Sequence, residues 1–165
     1  MKNSNLDLIT DKNISGLHPT IKDDVEHCIN NLSNIGIGVR VTFGFRTFAE
    51  QDKLYAQGRT EQGVIVTNAK GGDSIHNYGL AVDCVEISPV YGYNPNYPDS
   101  RWNDIAKVFK SKGFEWGGDW QKFPDKPHFQ KTFGLTLKQL KAKYKEGEFV
   151  DVGIIIKGQN ISKAD

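Results

Sequence analysis

Cysteine is nearly absent from this chain of 165 residues, occurring only as Cys28 and Cys84. Their spacing matches neither a metal knuckle nor a redox pair, so both are read as reduced, buried thiols. An excess of one charge is also missing: 21 Lys and Arg stand against 20 Asp and Glu, a formal net charge of +1. That balance argues against a nucleic-acid partner, which would demand many cations to neutralise phosphates. No run approaches the roughly 20 apolar residues that cross a bilayer, so no membrane partner is expected. The opening Met1-Lys2-Asn3-Ser4-Asn5-Leu6 lacks the apolar stretch of a secretory signal. Internal repeats and low-complexity linkers are absent too. What is present is an ordinary globular composition, 38% hydrophobic and 25% charged, with enough chain to bury one core without disulfides.

The hydrophobic pattern mixes helices and strands. The first twelve residues are polar and suit a short helix or arm. Ile21, Val25, Cys28, Ile29 and Leu32 recur at helical spacing, predicting an amphipathic helix from Pro19 to about Ile35. Val39-Arg40-Val41-Thr42-Phe43 alternates as a half-buried strand. Thr47-Phe48-Ala49-Glu50 has the form of a capping box, opening a helix that Gly58 ends. Residues 59–75 read as a long loop with a short strand at Val64-Ile65-Val66, and loops of that length usually serve a site. Leu80 to Ile87 reads as a buried strand, 88–99 as an insertion loop, and Arg101 to Lys112 as a helix capped by Ser100. Short strands are expected at Phe114–Trp116 and His128–Gln130, a basic helix over Thr136–Lys145, and a last strand over Phe149–Ile156. Without regular βαβ alternation this is an α+β chain. Trp102 and Trp116 are assigned to its core.

Two segments carry the chemistry. Ser74-Ile75-His76-Asn77-Tyr78-Gly79-Leu80-Ala81-Val82-Asp83 sets a histidine in a loop and, seven residues on, an aspartate inside an apolar strand. A carboxylate there needs a partner. Asp125-Lys126-Pro127-His128 holds a second histidine on backbone stiffened by proline. Two imidazoles and a carboxylate form a common ligand set for catalytic zinc, with an open position for water. Asp125 would then be the general base. Spacing alone leaves another arrangement open, with Asp83 paired to an arginine such as Arg46 and the histidines hydrogen-bonded in the core.

The pattern Ser74-x-His76-x-x-Gly79-x-Ala81-x-Asp83 followed by Asp125-x-Pro127-His128-Phe129 resembles the signature of the zinc-dependent M15 peptidases. Gly16-Leu17-His18-Pro19, Gly44-Phe45-Arg46-Thr47 with Gln51, and Trp116-Gly117-Gly118-Asp119-Trp120 extend the likeness over residues 14–135. The resemblance implies one compact domain, a small antiparallel sheet flanked by helices, of the kind shared by Hedgehog proteins and DD-peptidases. Residues 1–135 would form the peptidase domain, and 136–165 a helix and strand that complete it or are appended to it.

The same resemblance implies a Zn2+ cofactor held by His76, Asp83 and His128, with Asp125 and Arg46 as the catalytic pair. Ser74, Gln51 and Trp120 fall on the substrate side, Gln51 supporting Arg46 or the site wall. His18 is read as structural. Many relatives carry an acidic residue where this chain has Gln130, so a carboxylate contact there is not transferred. The implied activity is hydrolysis of the L-Ala–D-Glu bond of the peptidoglycan stem peptide by a monomeric phage endolysin or bacterial autolysin. An endolysin would accumulate in the host cytoplasm and reach the wall through holin pores. A D-Ala-D-Ala carboxypeptidase or dipeptidase shares the same ligands, and a non-catalytic wall-binding module is the third alternative.

Overall fold

The computed structural model describes residues 6–88, 92–93 and 98–145. Among the described residues, five helices run over Leu8–Ile14 (α1), Pro19–Asn34 (α2), Phe48–Ala56 (α3), Asp99–Ser111 (α4) and Leu137–Lys145 (α5). Five strands among them cover Val39–Phe43 (β1), Ala81–Ser88 (β2), Gly92–Tyr93 (β3), Glu115–Trp116 (β4) and His128–Gln130 (β5). These five strands pair antiparallel, in the order β1-β2-β5-β4, with β3 beside the end of β2. This is the expected α+β sheet flanked by helices.

The core forms where the helix stripes meet the sheet. Ile21, Val25, Cys28, Ile29 and Leu32 of α2 are all buried, and so are Trp102, Ile105, Ala106 and Phe109 of α4. They meet Val41, Val82, Cys84 and Phe129 of the strands. Phe109 stacks on Phe129 at 4.3 Å between ring centroids. Each large apolar side chain buried this way stabilises the fold by about 1.5–3 kcal/mol. Both thiols lie in this core, and burial pushes the Cys28 thiol up to about 12, which keeps it unreactive.

The edge of β1 is covered by α1. Asn13 Nδ2 donates to the carbonyls of Val41 and Thr42 at 2.8 and 2.9 Å, and Val41 N–H donates to Thr10 Oγ1 at 3.0 Å. Backbone groups that would otherwise be an open sheet edge are thereby satisfied.

Two expectations change. Val64, Ile65 and Val66 form no strand; they are 53–74% exposed and lie on a loop with no neighbouring strand to pair with. The cap of α4 is Pro98 rather than Ser100, so the helix begins at Asp99. Proline fits there because the N-cap position requires no N–H. The strand expected at Phe149–Ile156 lies outside the described residues, as does most of the 88–99 loop.

Candidate metal centre

Strand register brings the two distant motifs together. Asp83 on β2 is the direct cross-strand partner of His128 on β5, so both side chains stand on the same face of the sheet. His76 comes from a 3-10 turn over Ile75–Tyr78, closed by Gly79 at φ 66°, a left-handed conformation that glycine adopts freely. That turn is tied to the chain after β1: Arg46 N–H donates to the His76 carbonyl at 3.1 Å, and Asn77 Nδ2 donates to the Arg46 carbonyl at 2.9 Å.

Hydrogen bonds on the far side of each ring set which nitrogen faces inward. His76 Nδ1 lies 2.8 Å from the Gly44 carbonyl, which can only accept. Nδ1 therefore carries the proton, and Nε2 of the neutral ring keeps its lone pair. His128 Nε2 lies 2.8 Å from Gln130 Oε1. The Gln130 amide is itself oriented, because its Nε2 donates to the Glu115 carboxylate at 3.2 Å. His128 Nε2 is thus the donor, and its Nδ1 keeps the lone pair.

These two nitrogens approach Asp83 Oδ1 at 3.3 and 3.4 Å. That oxygen is nevertheless buried without a hydrogen-bond partner, since the lone pairs face it rather than protons. The three donor atoms lie within 4.8 Å of one another. Such a cluster of inward lone pairs and one negative charge fits a divalent cation, and the N, N, O donor set with buried histidines suits zinc. Burial alone would raise the Asp83 carboxyl, but positive charge on the adjacent His128 and His76 imidazoles holds it well below the usual carboxylate range. Burial likewise opposes charging His128, yet the Asp83 carboxylate raises its pKa. Both shifts express one fact: this pocket attracts positive charge.

A cavity of about 600 Å³ opens over the cluster. Asp125, Arg46, Ser74 and Trp120 line it together with the three candidate ligands. Asp125 sits on a turn whose backbone N–H donates to the Gly117 carbonyl at 2.8 Å. A Cβ on Gly117 would collide with the Asp125 carbonyl, so glycine permits this close approach. Partial burial and the nearby Asp83 charge raise the Asp125 pKa. Trp120 packs its ring 5.1 Å from that of His128.

Gln51 supports Arg46, as expected, from beneath the cavity and not from among the residues that line it. It is fully buried, its Oε1 accepting from Arg46 Nη1 at 2.9 Å and its Nε2 donating to the Ala69 carbonyl at 2.8 Å. With both amide atoms committed, it orients Arg46 and does not reach the cavity. Asp83 does not pair with Arg46, and His18 caps α2 through Nδ1, away from the cluster. Sequence reasoning missed Gly44 and Glu115 as the groups that fix the two imidazoles. Gly44 lay within a quoted motif, but Glu115 had no signal until strand register placed it opposite Gln130.

Comparison with known proteins agrees with this architecture. A family profile described as D-alanyl-D-alanine carboxypeptidase matches residues 67–131. A vancomycin-resistance D,D-pentapeptidase, VanY, solved in complex with Zn(II), shares the fold with a TM-score of 0.52 and 15% identity over 79% of each chain. The Serratia marcescens L-Ala D-Glu endopeptidase ChiX superposes with a TM-score of 0.54 and 26% identity, over 76% of this chain and 88% of its own. The Bacillus subtilis peptidoglycan L-alanyl-D-glutamate endopeptidase CwlK is 45% identical over 124 residues, 70% of this chain and 74% of CwlK. At that identity over that share of both sequences, the chain belongs to the M15 family of zinc-dependent peptidases.

Proposed function

We propose that this chain is a zinc-dependent peptidoglycan endopeptidase that hydrolyses the L-Ala–D-Glu bond of the stem peptide. The observation that carries the chemistry is the set of three inward lone pairs on His76, Asp83 and His128, with Asp125 lining the same cavity. The bond is supported by the relatives CwlK and ChiX, both L-Ala–D-Glu endopeptidases by name.

In this reading His76 Nε2, Asp83 Oδ1 and His128 Nδ1 hold the metal. Zinc bound there supplies Lewis acidity, lowering the pKa of water to about 7 and polarising a carbonyl. Asp125 accepts the proton of the attacking water and delivers it to the departing D-Glu nitrogen. Its raised pKa makes it a stronger base than an exposed aspartate. Arg46, pinned by Gln51, holds its guanidinium toward the charge that develops on the scissile carbonyl oxygen. Ser74 and Trp120 shape the substrate side, and Trp120 also shields His128 from water. Residues 1–135 form the peptidase domain, which α5 completes.

The partner is the stem peptide, and the chain acts as a monomer. None of the described helices is long and apolar enough to cross a membrane. A phage lysin released from the host cytoplasm through holin pores is one setting for this activity, and a bacterial autolysin the other. Mass spectrometry of purified walls after digestion tests the bond. New amino termini at D-Glu, absent with His128→Ala, are the expected result. Release of D-Ala alone would contradict it and support a D-Ala-D-Ala carboxypeptidase.

A further inference from the structure

The active-site cavity does not end at Arg46. A second cavity of about 610 Å³ lies beyond it, bounded by the C-terminal part of α1, the chain after β1 and one side of α3. Phe43, Arg46, Leu54 and Gln57 line both spaces and form the ridge between them. Along α3 the residues facing the second space are Glu50, Lys53, Leu54 and Gln57, spaced as one helical face. That helix buries only Gln51, so this face serves no core.

The two ends of the combined groove differ in charge. Beyond the ridge stand Lys12 and Lys53, both exposed and neither ion-paired with a described residue, together with Arg46. Glu50, the one carboxylate there, accepts from the Thr47 N–H at 2.8 Å within the capping box. The metal end carries Asp83, Asp125 and Asp73, the last paired with Lys141.

We infer that this second cavity is a carboxylate-binding subsite that takes the part of the stem peptide following D-Glu. The inference rests on the endopeptidase reading and extends it. On the amino side of the scissile bond the substrate is neutral, an acylated alanine attached to a sugar. On the carboxyl side it carries free carboxylates, first the α-carboxylate of γ-linked D-Glu and then those of the later residues. A basin with three cations and one engaged carboxylate is complementary to that half alone. Arg46 on the ridge stays with the scissile carbonyl, and Lys12 and Lys53 beyond it meet the carboxylates. Phe43 and Leu54 support the chain between.

The test uses the zinc-loaded full chain and two synthetic stem peptides with the same L-Ala–D-Glu bond. One peptide has free carboxylates after D-Glu, and the other has those groups amidated. For the double variant Lys12→Ala, Lys53→Ala, KM for the acid peptide rises about tenfold with kcat unchanged. KM for the amidated peptide stays the same. Equal effects on both peptides, or none on either, would overturn the subsite. Calorimetric binding of the product peptide beginning at D-Glu provides a readout that needs no turnover. Tighter binding of its acid than of its amide, lost in the double variant, supports the subsite, and equal binding refutes it. If the unsubstituted protein cleaves neither peptide, the endopeptidase reading fails, and the binding result still decides the subsite.

Discussion

Asp83 is the residue on which the site turns. Its buried Oδ1 faces two nitrogen lone pairs and lacks a proton donor, an arrangement that costs free energy without a cation. Asp83→Asn keeps the shape and removes the charge. Zinc measured by metal analysis after dialysis should fall from one per chain to none, and retention of zinc would contradict the ligand assignment. Asp125→Asn separates binding from turnover: zinc stays, and kcat drops by about 10²–10⁴. Loss of zinc in that variant would make Asp125 a ligand instead. Gln130 acts at one remove, through the tautomer of His128. Gln130→Leu frees Nε2 and should weaken zinc by about 10–100-fold in a chelator competition, while Gln130→Glu restores an acceptor and most of the affinity. The candidate ligands were legible because histidine is scarce and each sat in an unusual local sequence. Gln51 was harder to place. Its helical position hints at Arg46, but only its full burial shows that both amide atoms are spent on the protein.

At the scale of elements, local chemistry set most boundaries. The Thr47–Glu50 capping box starts α3 as its sequence indicates, and the stripes of α2 and α4 bury the residues that the period of 3.6 selects. The segment Val64–Val66 fails as a strand for a tertiary reason: β-branched residues favour extended backbone, yet a strand needs a neighbour. Cap exchange at α4 is local too, since Pro98 already fixes the φ that the entry requires. Asp7 offers a test at this scale. It caps α1 by accepting from Thr10 N–H at 2.7 Å and pairs with Arg40 of β1 at 2.8 Å. Burial alone would raise its carboxyl, but these hydrogen bonds and the Arg40 charge hold it below the ordinary value. A depressed folded pKa gives stability that is present above the unfolded value, near 3.8, and lost as pH falls through the folded one. Asp7→Ala should therefore cost about 1–2 kcal/mol in denaturant unfolding at pH 6, with the gap closing below pH 4. A gap independent of pH would contradict the charged cap. Gly117→Ala tests the turn that carries Asp125. Its Cβ would meet the Asp125 carbonyl and crowd the His128 Cβ, so kcat should fall.

Across the whole molecule, the fold explains how residues 45 apart in sequence become a single site. The antiparallel pairing of β2 with β5 sets Asp83 against His128, and the connection after β1 presses the Gly44 carbonyl on His76. A sequence reading could name those residues but not their register, because register follows from which strands meet across the core. The order β1-β2-β5-β4 also places Glu115 beside Gln130 and so completes the orientation of the second imidazole. The central claim is that this assembled cluster, loaded with zinc, cleaves L-Ala from D-Glu. The most direct measurement follows a defined stem peptide by mass spectrometry with protein stripped by a chelator and then reloaded. The stripped protein should give no product, and peptides beginning at D-Glu should appear once zinc is restored. Full cleavage without metal, or a zinc-dependent product cut at another bond, would contradict it.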